Sequence, residues 1–239
     1  MSAAADRGSS AVPAGVGVEV GIVDYGMGNR RSVEKALAHV GARPLLSSDP
    51  ERLRDAAGLV LPGVGAFPKA MENLRLLGLD ELLRERLAAG TPLLGICLGM
   101  QLAFDGSSEM GGAEGLGLVH GEVRPLRVGS EKLPHIGWNE VTFAVPDSPL
   151  VHHLPERCAF YHVHSLAPVP ADAEDVLGTA EYGERFVTAV QRGNFYGVQF
   201  HPEKSSTAGL RMLGNFAAIC GAGDGEGRPS PDLRPIAQS

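Results

Sequence analysis

The stretch Pro92–Gln101, P-L-L-G-I-C-L-G-M-Q, constrains this chain more than any other. Leu93, Leu94 and Ile96 form a short apolar run uninterrupted by charge, which reads as a buried strand. Leu98, Met100, Leu102 and Ala103 continue as a helix. Cys97 stands at the junction, with Gly95 two residues before it and Gly99 two residues after. This G-x-C-x-G spacing is that of a nucleophile elbow. A turn so tight leaves no room for side chains at the flanking positions, and glycine has none. The thiol is thrust out at the strand's end beside the first amides of the helix, that of Leu98 nearest. Such amides and the helix dipole favour the thiolate, and they supply one wall of an oxyanion hole. Read alone, the motif equally fits a core cysteine, because free cysteine is among the most buried residue types.

The rest of the chain supplies a frame for that elbow. A first strand spans Val18–Tyr25 and ends in G-M-G-N, where Asn29 can cap a helix carrying Val33, Ala36, Leu37 and Val40 at helical spacing. The glycine turn lacks the full dinucleotide fingerprint and reads as a plain tight turn. Strands at Pro44–Leu46 and Gly58–Leu61 follow, the latter running into P-G-V-G, whose two glycines let backbone amides approach a ligand. Phe67, Ala70, Met71 and Leu74 mark one amphipathic helix; Leu79, Leu82, Leu83 and Leu87 mark another. This rhythm predicts an α/β domain with a largely parallel sheet and helices on both faces. Ligands then sit at the strands' C-terminal ends, where Tyr25, the Gly63–Gly65 loop and Cys97 all lie. The polar, glycine-rich segment Asp105–Gly117 reads as a surface loop able to line a site. Short strands at Val119–Pro125, Val141–Val145, Phe160–His164, Val176–Tyr182, Phe186–Gln191 and Phe195–Phe200 suggest a partly antiparallel second half. Ser205 opens a last helix with Leu210, Leu213, Ala217 and Cys220 on one face. Residues 1–17 and 221–239, rich in small residues, glycine and proline, read as disordered extensions of a single domain over residues 18–220.

Composition narrows the function classes. A net charge of −7 without a basic stripe argues against nucleic acid as a partner. Cys97, Cys158 and Cys220 are too few and scattered for a disulfide framework. His162 and His164 share a strand face, but no third ligand presents itself, so no metal is expected, and no cofactor. The sequence has no run of about 18 apolar residues to span a membrane and no signal-peptide pattern. A cytoplasmic setting is expected, where a free catalytic thiol persists.

The second half adds what the elbow needs. F-H-P-E-K, Phe200–Lys204, directly follows the strand F-Y-G-V-Q. Pro202 biases His201 toward extended geometry, and residues two apart in an extended segment point the same way. Glu203 can therefore reach back to the His201 ring and hold its tautomer, leaving the other nitrogen for a thiol. Cys97, His201 and Glu203 read as nucleophile, base and orienter.

G-I-C-L-G-M-Q together with F-H-P-E-K resembles the class I, triad-type glutamine amidotransferases. D-Y-G-M-G-N, L-P-G-V-G-A-F, P-H-I-G-W-N, Y-H-V-H-S and H-P-E-K-S-S narrow the resemblance to the glutaminase subunits of imidazole glycerol phosphate synthase, over about Val18 to Cys220. The resemblance implies a flavodoxin-like domain that hydrolyses glutamine to glutamate and passes ammonia to a cyclase subunit in a heterodimer. It implies that the amides of Val64 and Leu98 form the oxyanion hole. Gly65, Gln101, Glu109, Tyr161, His164 and Ser165 would bind glutamine, and Asn29, Pro134, His135, Trp138, Asn139 and Lys204 would lie toward the cyclase. Arg30 stands where the family commonly has an apolar residue, and His162 and Leu166 stand where aromatics are usual. Without the resemblance, Gln101 and Glu109 fit solvated positions, Trp138 a core residue and Lys204 a surface lysine. The adjacent His152 and His153 should diverge at the surface. A stand-alone Cys-His γ-glutamyl hydrolase, the amidotransferase subunit of another pathway and a non-catalytic docking subunit are the alternatives, and P-H-I-G-W-N speaks for the cyclase-bound form.

Overall fold

In the computed structural model, residues 17–222 are described. The first half alternates strands and helices: β1 Glu19–Val23, α1 Arg30–His39, β2 Arg43–Ser47, the short α2 Pro50–Leu53, β3 Gly58–Gly63, α3 Phe67–Leu76, α4 Leu79–Ala88, β4 Leu93–Cys97 and α5 Leu98–Leu102. The second half is mostly strands: β5 Phe104–Ser107, β6 Ala113–Glu114, β7 Val119–Pro125, β8 His135–Phe143, β9 Arg157–His164, β10 Leu166–Pro170, β11 Val176–Tyr182, β12 Glu184–Arg192 and β13 Phe195–Val198, before α6 Ser206–Ala222. The extensions expected over residues 1–17 and 221–239 lie outside the described residues, save Gly17 and the end of α6.

Nine strands form one sheet in the order β2-β1-β3-β4-β13-β12-β11-β8-β9. Its pairs are parallel from β2 to β13 and antiparallel from β13 to β9. The parallel strands β3 and β4 are buried along their whole length, which explains their unbroken apolar character. The expected helix stripes face opposite sides of this sheet. Phe67, Ala70, Met71 and Leu74 of α3, with Leu79, Leu82, Leu83 and Leu87 of α4, pack into one apolar cluster. Val33 and Leu37 of α1 join Met212, Leu213 and Phe216 of α6 in the other. Each of the larger side chains among these contributes about 1.5–3 kcal/mol through burial.

Three elements differ from expectation. Asp105–Gly117 is not simply a surface loop. It contributes β5 and β6, which join β7 and β10 in a second, four-stranded sheet. Period-2 hydrophobicity is too weak across so many glycines to reveal strands held by backbone pairing alone. The strand expected at Val141–Val145 begins at His135, so P-H-I-G-W-N lies within a strand. The large sheet also rolls. Phe160 of β9 stacks on Phe200, ring centroids 4.0 Å apart, and the His201 amide donates to the Tyr161 carbonyl at 2.9 Å. The last strand in the sheet order thus returns to the end of β13.

Candidate active site

Cys97 ends β4 with φ 54° and ψ −111° and is almost fully buried. A non-glycine residue with this backbone is strained, and such strain persists only where the surroundings over-determine it. The two flanking glycines supply that constraint in different ways. A Cβ on Gly95 would lie 2.8 Å from the Gly99 carbonyl and the Met100 Cα, inside the elbow itself. A Cβ on Gly99 would lie 1.7 Å from the Leu61 carbonyl oxygen, so the second glycine is required by packing against β3. In the β3–β4 register Gly63 lies directly beside Cys97, which brings Val64 and Gly65 to the same end of the sheet as Leu98, the first residue of α5. The Tyr25 hydroxyl donates to the Pro62 carbonyl at 2.8 Å and ties the end of β1 to this loop.

His201 stands in extended geometry just past β13, while Pro202–Lys204 form one turn of 3-10 helix. It is this turn, rather than continued extension, that folds Glu203 back onto the ring. His201 Nδ1 lies 2.9 Å from Glu203 Oε1, and both side chains are almost wholly buried. A carboxylate only accepts, so Nδ1 carries the proton and Nε2 is left for the thiol. Glu203 Oε2 is buried without a hydrogen-bond partner. Burial on its own pushes the imidazolium down. The hydrogen bonds with Cys97 and Glu203, and their charges, outweigh it and lift His201 to about 9. The loop is pinned by Ser205, whose hydroxyl donates to the His201 carbonyl at 2.6 Å and accepts from the Tyr161 amide at 3.0 Å.

Two further groups reach the sulfur. Gln199 Nε2 donates to Cys97 Sγ at 3.6 Å, and Sγ lies 3.8 Å from the Val163 carbonyl, to which a thiol donates. Gln199 is absent from the residues expected from sequence, yet the signal was there. It lies two residues before His201 in the run F-Y-G-V-Q-F-H, which reads as extended, so alternation puts both side chains on one side, although β13 itself ends at Val198. Gln101 Nε2 donates to Gln199 Oε1 at 2.9 Å and to the Leu166 carbonyl at 3.3 Å.

The other expected residues divide. Glu109 lies near the Gly63–Gly65 loop, and its Oε2 accepts the Phe67 amide at 2.7 Å at the start of α3. The Asp105–Gly117 segment therefore reaches the start of α3, which follows the Gly63–Gly65 loop. Tyr161 packs edge-on against Trp138, centroids 6.2 Å apart, on the face of β9 opposite His162 and His164. The structure thus does not put Tyr161 and His164 on one face. Ser165 gives its carbonyl to the Leu126 amide.

His164 and His135 depart further from expectation. Both His164 nitrogens are occupied: Nδ1 lies 2.8 Å from the Leu166 carbonyl and Nε2 lies 3.0 Å from His135 Nδ1. No ring nitrogen remains to bind glutamine. His135, expected on the partner face, is buried, its Nε2 3.4 Å from Asn139 Nδ2. Strand alternation turns it inward while Ile136 and Trp138 turn out, 59% and 56% exposed. Pro134 and Lys204 are exposed, and Asn29 is half-buried. Asn29 sits at the N-cap of α1, but its Oδ1 accepts from the Ser32 hydroxyl rather than from a helix amide. Arg30 pairs with Asp24. His162 spans the Phe160 carbonyl and the Thr188 hydroxyl, at 3.0 and 2.8 Å. Burial, aided by His164, pushes it down to about 3, and burial pushes His164 down to about 4. His152 and His153 are exposed but do not diverge: their rings lie 3.8 Å apart, because His153 adopts φ 61°.

Among the described residues, no group of three or more His, Cys, Asp or Glu is placed to hold a metal ion. No helix among them is long and apolar enough to cross a membrane.

The family described as glutamine amidotransferase class-I matches residues 21–220. A protein named imidazole glycerol phosphate synthase subunit HisH from Moorella thermoacetica is 50% identical over 200 residues, covering 84% of this chain and 94% of its own length. One of the same name from Geobacillus kaustophilus is 47% identical over 212 residues, covering 86% of this chain and 100% of its own. Among solved structures, PurLQS from Thermotoga maritima superposes with a TM-score of 0.69 at 18% identity, over 85% of this chain and 99% of that one, which is a likeness of fold.

Proposed function

The chain belongs to the class-I glutamine amidotransferase family, and from that premise we propose how its site works and what it serves. It is a glutaminase of the HisH kind, hydrolysing glutamine to supply ammonia in histidine biosynthesis. The observation that carries the chemical reading is the buried His201–Glu203 pair set against a thiol at an elbow. In this reading His201 Nε2 takes the Cys97 proton, and the thiolate attacks the carboxamide carbon of glutamine. The carbonyl electrons move to oxygen, where the Val64 and Leu98 amides stabilise the oxyanion. Collapse expels the amine, which takes the proton from His201 and leaves as ammonia, with a glutamyl thioester on sulfur. Water then attacks that carbonyl carbon, His201 takes its proton, and the C–S bond breaks to release glutamate. Gln101, Glu109 and the Gly65 loop hold the amino-acid end of the substrate; Gln101 Nε2 is already spent, so its Oε1 faces the ammonium group. Tyr161, His164 and Ser165 shape that pocket through the β9–β10 backbone rather than through a free ring nitrogen.

The ammonia acceptor is a cyclase subunit, bound as a heterodimer in the cytoplasm. Supporting this are the outward Ile136 and Trp138 on β8, flanked by exposed Pro134, with Lys204 one residue past Glu203. Asn29 lies toward the same partner, whereas Asn139 is on the His135 side of β8, opposite Ile136 and Trp138, and its Nδ2 donates to the Glu181 carbonyl at 2.9 Å. Ammonia at neutral pH is mostly ammonium, which is not nucleophilic, so delivery requires a sealed path from Cys97. The test is Cys97→Ala in the complex. It should abolish synthesis from glutamine and spare synthesis from added ammonium salt. Retention of glutaminase activity by the variant would overturn the assignment of the nucleophile.

A further inference from the structure

Gln199 is fully buried, and no role in the reaction described above requires it. The direction of its amide follows from neighbours that each have one choice. The Leu166 carbonyl only accepts. The His164 nitrogen facing it therefore carries a proton, and the Gln101 atom facing it is the NH2 group. That same nitrogen lies 2.9 Å from Gln199, so Gln199 must present its oxygen there and its NH2 to the sulfur. Turned over, the Gln199 amide would set NH2 against NH2 on one side and a lone pair against sulfur on the other.

We propose that Gln199 is a further catalytic residue, the side-chain donor that holds the charged sulfur of Cys97. The proposal rests on the reading of Cys97 as nucleophile. An N–H group bonds a thiolate far better than a thioester sulfur, because the hydrogen bond is strengthened by charge. Gln199 therefore favours the two states in which sulfur is anionic. One is the pair formed once His201 has taken the thiol proton. The other is the thiolate released when water cleaves the thioester: the new C–O bond forms, the C–S bond breaks, and its electron pair returns to sulfur. The Val163 carbonyl, on the sulfur's other contact, serves a thiol but has nothing to donate to a thiolate. The titratable groups around the sulfur are His201 with Glu203 behind it, and Tyr25 from the loop after β1. His162 and His164 of β9 lie close enough that His201 adds to the lowering that burial imposes on them.

The test avoids glutamine. Iodoacetamide alkylation of Cys97 is followed against pH in the full chain and in Gln199→Met, which keeps length and loses the donor. Alkylation near neutral pH should slow by about tenfold, the size of a hydrogen bond to a charged group, with the profile displaced to higher pH. A folded variant whose profile superimposes on the wild type overturns the proposal. Should Gln199→Met fail to fold, the side-chain amide NMR signal of Gln199 in the wild type decides. It should move downfield as Cys97 ionises and stay put in Cys97→Ala; a signal indifferent to pH in the wild type overturns the proposal. These readouts concern the bond itself, whereas failure of the nucleophile assignment would show as glutaminase activity in Cys97→Ala.

Discussion

Replacing Glu203 by Gln tests the centre of the site, because it keeps the acceptor on His201 Nδ1 and removes only the charge. The lift of His201 from 6.5 to about 9 amounts to about 3 kcal/mol in favour of the imidazolium. Burial opposes that lift, and Cys97 and Glu203 together overcome it. If Glu203 supplies about half of the lift, Glu203→Gln lowers His201 by about one pH unit. The alkaline limb of kcat/KM against pH moves down by the same amount. The amide's NH2 takes the place of the partnerless Oε2, so the fold should survive. Linkage adds a second readout. The folded value lies above the unfolded one, so the His201 contribution to stability is complete below about pH 6.5 and is lost as pH rises through about 9. Chemical denaturation of the wild type should show a loss approaching about 3 kcal/mol across that window, and the variant a smaller one. Activity at neutral pH should fall less than in His201→Ala, which has no base at all. A His201 ring whose NMR titration is identical in variant and wild type would refute the reasoning.

Three other perturbations probe the frame. His162→Phe should flatten the acid limb of stability. Its folded value of about 3 lies below the ordinary 6.5, so stability is lost as pH falls from about 6.5 toward about 3. At neutral pH it should cost about 1–3 kcal/mol, because the Thr188 hydroxyl and Phe160 carbonyl lose their partner. Melting temperatures at the two pH values check both, and parallel losses in variant and wild type would contradict the account. Gly99→Ala should destabilise by more than about 3 kcal/mol in urea titration, since its Cβ would overlap the Leu61 carbonyl oxygen; a cost under about 1 kcal/mol would mean α5 can lift off β3 freely. Trp138→Ala should weaken the cyclase complex by about 2 kcal/mol or more in titration calorimetry and leave the melting temperature of the isolated chain nearly unchanged.

The parallel half was legible because its signals are local. Buried strands read as apolar runs, the helix stripes as 3.6-residue periods, and the elbow as two glycines around a cysteine. The His201–Glu203 pair was legible from P-E following H, although the turn that makes it is 3-10 rather than extended. The inward turn of His135 was not, because it depends on the register of β8 against β9, which pairs His135 with His164 across a separation no local pattern encodes. The same holds for Gln101. Its glutamine-binding role was inferred from position, while its commitment to Gln199 and Leu166 arises from strands far apart in the chain. Arg30 and His162, which depart from the family's usual residues, have found their own partners in Asp24 and in Thr188.

The rolled sheet also bears on solubility. A strand at the end of a sheet presents unpaired amides and carbonyls, a template on which another chain can add and aggregate. β9 occupies that position in the nine-stranded sheet, and the part of its free side nearest the site is already spent. The Tyr161 amide goes to Ser205, the Tyr161 carbonyl to the His201 amide, and the Val163 carbonyl to the Cys97 thiol. The groups that seat the nucleophile and base are therefore the same groups that blunt the edge. Loosening the site, for instance by losing the Ser205 hydroxyl, exposes a sticky strand as well as an idle thiol.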